Sequence, residues 1–337
     1  MTSIFNKRNS IIFFVLLSLI FPTVVPNDYF LYLMTTAFIW VIAVSGLNIL
    51  AGYTGYLSLA HAGFFAIGAY SLGLLTVKAE MNYWIAFVLT LGITSLIGLF
   101  VGLIALRTKE HFFAIYTLCV GYIIYLVIDK WEGLTGGVRG LIGIPTPANI
   151  GPIAFDSVHS QYYLVLFFML LSLLIIYRIV HSLTGRTFIA IRNSEQLATT
   201  IGVSTMKNKL LAFVLSTFFA GMSGALYASV IRFIGPEIAY TSVMFDLLMY
   251  LLVGGIGTIS GPAVGAIVIV WVSQQLQFLQ EYRMLIFGPL LTLIIIFYPR
   301  GIVGAFISLK TRAQAKKRKV PIVNESLTPT KKQIEEG

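Results

Sequence analysis

The chain has 337 residues, of which 58% are hydrophobic and 11% charged, with 23 Lys and Arg against 13 Asp and Glu. An ordinary soluble chain is roughly 45–50% apolar and about 25% charged, so these few charges cannot coat a globule of this size, and a secreted, cytosolic or nuclear protein is excluded. A mean hydropathy of +0.89 places the chain in lipid, while one cysteine, Cys119, and four scattered histidines rule out a disulfide framework and leave no metal site expected.

A membrane helix needs about 20 apolar residues. In chain order the candidates are Ile11–Val25, Leu31–Leu50, Leu57–Val77, Trp84–Leu106, Phe112–Ile128, Tyr162–Val180, Leu210–Ile231, Val243–Gly257, Pro262–Leu279 and Met284–Tyr298. The fold class is therefore an all-α polytopic bundle of about ten spans. The first follows Lys7 and Arg8 as a signal peptide would, but "TVVPND" lacks a small-x-small cleavage pattern, so it reads as retained. Alternating the spans from an inner start puts 18 Lys and Arg inside and five outside (Lys78, Lys130, Arg139, Arg232 and Arg283). Cytoplasmic loops carry that excess, so both termini are expected in the cytoplasm. Tyr29, Tyr83, Trp84, Trp131, Tyr162, Tyr163 and Tyr282 fall at span edges and read as interfacial anchors.

Apart from Arg178, counted with the inner loop at the end of the sixth span, only Asp246 among Asp, Glu, Lys and Arg is expected inside a span, in the first turn of its helix, where the helix dipole favours a carboxylate. His61 lies deeper and reads as a hydrogen-bonded core residue. With no chain of acids and no cationic helix, proton- or voltage-driven machinery is disfavoured.

Glycine is the stronger signal. "AGYTGYLSLAHAGFFAIGAY" holds Gly52, Gly55, Gly63 and Gly68, and "LVGGIGTISGPAVGAIVI" holds Gly254, Gly255, Gly257, Gly261 and Gly265. A shift of 202 residues superposes Gly52 on Gly254, Gly55 on Gly257, Ser58 on Ser260 and Gly63 on Gly265. Broken, small-residue helices mark translocation elements in transporters; close helix packing is the plainer reading. The charge-derived topology puts both segments on the cytoplasmic side, so no inverted symmetry is claimed. The outer loop 129–161, with "GLTGGVRGLIGIP", reads as turns or a short re-entrant segment that serves as a connector or as a docking or gating surface.

The inner loop "HSLTGRTFIAIRNSEQLATTIGVSTMKNK" predicts one short amphipathic helix between Gly185 and Gly202. Asn193 or Ser194 caps it, Glu195 opens it, and Ile191, Leu197, Ala198 and Ile201 form its apolar stripe. It lies across the inner mouth, either as a membrane-surface helix or as a lever for a cytoplasmic partner. Residues 1–309 form the membrane domain. The tail, 310–337, is basic and read as disordered and cytoplasmic, where anionic lipid rather than nucleic acid accounts for its charge.

At "GYTGYLSLAHAGFFAIGAY", "FFAIYTLCVGYIIY", "LTGGVRGLIGIP", "GRTFIAIRNSEQLATTIGVSTMKNKLLAFVLSTFFAGMSGALYA", "LLVGGIGTISGPAVGA" and "RMLIFGPLLTLIIIFYPRGIVG" the chain resembles, block by block across roughly residues 31–304, the branched-chain amino acid ABC transporter permeases of LivM type, in the LivH/LivM family. The resemblance implies a permease subunit of the cell inner or plasma membrane, importing branched-chain or related hydrophobic amino acids. It implies four kinds of contact: a second homologous permease subunit, two cytoplasmic ATPase subunits, an extracytoplasmic solute-binding protein and the lipid bilayer. No G-x-x-x-x-G-K-[ST] loop occurs in the chain. The chain cannot bind ATP by that motif, so it is expected to be no enzyme and to hold no cofactor, with ATP-Mg on the partner subunits.

The same resemblance makes the inner helix the coupling element. Glu195, Ala198 and Gly202 echo an acidic-Ala-Ala…Gly pattern from which Gln196 and Leu197 depart, with Arg192 and Lys207 beside them. Asn48, Gly52, Gly55, Ser58, His61, Thr117, Gly254 and Gly257 are candidates for the translocation path. Three alternatives stand beside this reading. One is a same-family permease for urea, short amides or another small polar solute. Another is an intramembrane enzyme using His61 or Asp246, without a second acid, base or ligand at workable spacing. The third is a channel, without a visible filter.

Overall fold

The computed structural model describes residues 14–25, 27–108, 110–149, 151, 154–275, 292 and 301–304. The expected tenth span, Tyr282 and the tail 310–337 lie outside the described residues. The chain folds as α1 (Phe14–Val24), α2 (Asp28–Asn48), α3 (His61–Gly73), α4 (Tyr83–Ala105), α5 (Glu110–Lys130), α6 (Glu132–Thr135), α7 (Val158–Val180), α8 (Leu183–Asn193), α9 (Glu195–Thr200), α10 (Thr205–Ile231), α11 (Thr241–Gly254) and α12 (Gly261–Gln275). α2 runs on through a wider π-helical turn, Ile49–Thr54, and α3 through another, Leu74–Lys78.

Short polar side chains start these helices. Asn27 accepts from the Tyr29 N–H at 2.9 Å, Asn82 from Trp84 at 3.0 Å and Ser157 from Ser160 at 3.2 Å. Each takes up one of the N–H groups that a first turn leaves unpaired. Among the described residues five helices are long and apolar enough to cross a membrane: Asp28–Thr54, Tyr83–Ala105, Phe112–Lys130, Val158–Val180 and Thr205–Ile231. α1, α11 and α12 are apolar but shorter. The protein is a multi-pass membrane protein built mainly of helices.

α10 is the central post, with α2, α3 and α4 packed around it. Small residues let the backbones approach: Gly68 lies on the backbone of Gly221, and Gly224 on the carbonyl of Phe65, with no room for a Cβ at either contact. Lipid offers no hydrogen bonds, so buried hydroxyls turn back on their own helices. Thr35 donates to the Leu31 carbonyl at 2.8 Å and Ser172 to that of Phe168 at 2.6 Å. On α4, Ile85, Val88, Leu89, Leu96 and Phe100 stay exposed on the face turned from the core.

The connections gather at two ends. At one, Lys78 Nζ donates to the carbonyls of Gly133 and Leu134 at 2.7 Å, and Trp84 Nε1 to Ala148 at 2.9 Å. There β1 (Leu141–Ile142) pairs antiparallel with β2 (Phe233–Ile234), so loop 129–161, which turns at Gly136, Gly137, Gly140 and Gly143 with positive φ, is pinned to the connection after α10. At the other end lie residues 52–60, α8, α9 and the α11–α12 connection.

Three expectations are corrected. The third span starts as helix only at His61, because Leu57–Ala60 are non-helical. The seventh starts at Thr205, five residues before the apolar run, because Lys209 is buried rather than solvated. Tyr162 and Tyr83 are core residues, not anchors: Tyr162 donates to the Ser18 carbonyl at 2.7 Å and stacks on Phe21. Tyr29, Trp131 and Tyr163 remain exposed at the edges.

Candidate coupling and translocation site

The inner loop forms two helices where one was expected. Ser182 accepts from the Gly185 N–H at 3.4 Å and starts α8, and Ser194 accepts from Leu197 at 3.2 Å and starts α9. Ser194 itself is extended (φ −164°, ψ 109°), because a serine that binds the next turn leaves the preceding helix. Gly185 lies inside α8 against the Val180 carbonyl and does not bracket it. The break also divides the apolar stripe. Ile191 and Ala198 are buried, whereas Leu197 and Ile201 are 64% and 70% exposed. Gly202 ends the segment at φ +85°, a left-handed geometry that glycine adopts without strain.

Arg192, in the last turn of α8, is exposed, but its guanidinium touches the end of the bundle. Its Nη1 donates to the Gly52 carbonyl at 2.5 Å. A Cβ on Gly55 would sit 3.3 Å from Arg192 Cγ, and one on Gly257 would sit 2.6 Å from Arg192 Nη1. Asn48 binds the same segment from below. Its Nδ2 donates to the Thr258 carbonyl at 2.8 Å, and its Oδ1 accepts from the Gly257 N–H at 2.8 Å. A Cβ on Gly52 would overlap Asn48 Oδ1 and lie 2.7 Å from Gly257 N. The two glycine segments therefore lie side by side at one end of the bundle, with Arg192 and Asn48 as pins. Gly254 packs on Gly261 and Gly265 and closes the α11–α12 hairpin.

Glu195, the first residue of α9, turns inward. Lys209 Nζ donates to its Oε1 at 2.6 Å, and the Tyr56 hydroxyl donates to its Oε2 at 2.5 Å. Lys209 Nζ also donates to Tyr56 Oη at 3.1 Å and lies 4.6 Å from the centre of that ring. Partial burial works to raise the Glu195 carboxyl, but the hydrogen bonds from Lys209, Tyr56 and Thr205, with the lysine's charge, outweigh it and hold the group below the usual glutamate range. The carboxylate is thus ionised at neutral pH.

The other expected residues are placed as follows. Thr117 Oγ1 accepts from the Leu59 N–H at 3.0 Å, and Ser58 Oγ accepts from Ala60 at 3.3 Å, so both hold the non-helical link ahead of α3. His61 is buried with both ring nitrogens engaged, Nε2 with the Ala43 carbonyl at 2.8 Å and Nδ1 with Ser216 Oγ at 3.3 Å. Asp246 is half-buried in the second turn of α11, not the first, because that helix begins at Thr241. Lys207 is exposed, and it is Lys209 that pairs with Glu195. Its neighbour Lys209 was missed, as was Tyr56. The signal was a lysine at the edge of an apolar run, one helical turn into α10 and facing an acid across the loop. At the opposite end a cavity of about 210 Å³ opens between α2, α7 and α10, with Asp156 and Arg232 on its lining. Among the described residues no cluster of His, Cys, Asp and Glu fits a metal.

Residues 29–296 match the family described as "Branched-chain amino acid transport system / permease component". The chain is 30% identical over 291 residues to the high-affinity branched-chain amino acid transport system permease protein LivM of Salmonella typhimurium, and to that of Escherichia coli, covering 80% of this chain and 68% of each relative. It is 23% identical over 305 residues to LivH of Salmonella typhimurium, covering 82% of this chain and 97% of that one. No solved structure matches.

Proposed function

We propose, from the premise that the chain belongs to the family of permease components of branched-chain amino acid transport systems, that it is one membrane subunit of an ATP-driven importer of branched-chain or related amino acids. About ten spans cross the inner or plasma membrane, with both termini in the cytoplasm. A second permease subunit completes the path, an extracytoplasmic binding protein delivers the cargo, and two cytoplasmic ATPases supply the work. The chain has no phosphate-binding loop of the G-x-x-x-x-G-K-[ST] kind, which supports placing ATP and magnesium on those separate subunits.

The observation that carries the reading is the Arg192 contact. A surface helix pair is hydrogen-bonded at its base to the Gly52 carbonyl and lies against Gly257, which Asn48 ties to the same helix as Gly52, while the outer side of α9 presents Leu197 and Ile201. Exposed apolar side chains on a short capped helix suit a groove in a cytoplasmic partner. When ATP draws the motor subunits together, α9 moves with them. Arg192 then pulls on the 52–55 and 257–258 segments, and the packed bundle switches the side to which its path opens. A path without a tight site suits a cargo handed over by a binding protein.

The test is reconstitution of the complete transporter in liposomes with labelled leucine. Deletion of residues 193–202 abolishes ATP-dependent uptake and leaves the chain inserted. Uptake that survives the deletion overturns the coupling role. Accumulation of urea or a short amide in place of leucine overturns the cargo.

A further inference from the structure

We infer that Lys209 is the joint through which α9 moves the transmembrane core, with Glu195 and Tyr56 as its two clasps. This rests on the reading of α9 as the motor-facing element. The acid that opens α9 is then a transmission residue, not a contact for the motor.

Three observations support the inference. Lys209 is 5% exposed, one turn into α10, a 27-residue helix of the core. A buried ammonium is stable only with a charged or hydrogen-bonded partner. Here that partner is Glu195, which comes from α9, and Tyr56, which comes from the link between α2 and α3. An α9 that swung away alone would strand the lysine's charge in a low-dielectric site, so the start of α10 must follow it. The joint also rests on an aromatic floor. Tyr56 meets Phe113 of α5 edge to face at 5.4 Å, Phe113 meets Phe213 of α10 at 6.1 Å, and Phe213 meets Phe64 of α3 at 5.7 Å. A shift at Glu195 is thereby passed at once to α3, α5 and α10. Close packing of this kind transmits displacement rather than absorbing it. Meanwhile Leu197 and Ile201, on the other side of α9, are left for the motor.

The experiment measures leucine uptake and ATP hydrolysis together, in proteoliposomes bearing the complete transporter. Glu195→Gln and Lys209→Gln each lower uptake at least tenfold while ATP hydrolysis stays within twofold of the unsubstituted complex. Lys209→Arg keeps the charge and retains at least a third of the uptake. The exchanged pair Glu195→Lys with Lys209→Glu recovers uptake at least threefold over either single exchange. Tyr56→Phe removes one hydroxyl without disturbing the fold and lowers the uptake-to-hydrolysis ratio two- to fivefold, so the inference stays testable if a charge variant fails to assemble. Unchanged ratios in the variants overturn the joint alone. Parallel loss of hydrolysis and uptake also overturns it, because Glu195 would then be a motor contact. An unsubstituted complex that moves no leucine with ATP overturns the proposed function itself.

Discussion

A single amide decides how the two glycine segments meet. Asn48 spends its donor on Thr258 and its acceptor on Gly257, and it is 1% exposed. Replacing it by leucine keeps the branched shape, with bulkier methyls in place of the amide atoms, and leaves a buried N–H and a carbonyl without partners, at about 1–3 kcal/mol for each unsatisfied group. Asn48→Leu is therefore expected to lower the thermal midpoint of the detergent-purified protein by several degrees. An unchanged midpoint would show that the amide does not hold the segments. The sequence picked out Asn48, Gly52 and Gly257 as unusual, because polar and small residues are costly in a long apolar run unless they have work to do. It did not show that they touch, since no local pattern records a contact across 210 residues. Lys209 escaped for a related reason. At the boundary of an apolar run a lysine looks solvated, and only the fold reveals that α10 starts earlier and carries it inside.

At the scale of elements, caps were legible and breaks were not. Asn193 and Ser194 stood out as cap residues because each offers a side-chain acceptor before an acid. Ser194 uses that acceptor on Leu197, and by doing so it divides the segment into α8 and α9. Loss of such a cap costs about 1 kcal/mol, a large share for a helix of six residues. Ser194→Ala is expected to speed amide exchange in α9 about fivefold while exchange in α10 stays the same. Equal protection in both proteins would place the stability of α9 elsewhere, in the Glu195 cluster. The division matters for mechanism, because it lets α8 keep Arg192 on the glycine segments while α9 turns Leu197 and Ile201 outward. The amphipathic pattern suggested a single stripe. It could not show the turn at Ser194, which depends on a side chain choosing one backbone group over another.

For the molecule as a whole, composition fixed the solvent, and charge sets the sides that are proposed. Both follow from the cost of moving charge through lipid, which each loop obeys independently of the fold. The groupings at the two ends agree with that division: Lys78 and β1–β2 share one end, and Arg192, Glu195 and Gly257 share the other. Which loops associate at each end was not legible, because β1 and β2 are two residues each and leave almost no trace in the pattern. The arrangement carries its own test. Ile142 is 71% exposed in the pinned loop, and Thr200 is exposed at the end of α9. With Cys119, the sole cysteine, replaced by serine, Ile142→Cys is expected to react with a membrane-impermeant maleimide in intact cells. Thr200→Cys is expected to react only after the membrane is opened, because the proposed orientation puts the α9 end inside. Labelling of Thr200→Cys from outside would reverse the orientation, and with it the side from which ATP works on Arg192 and Lys209.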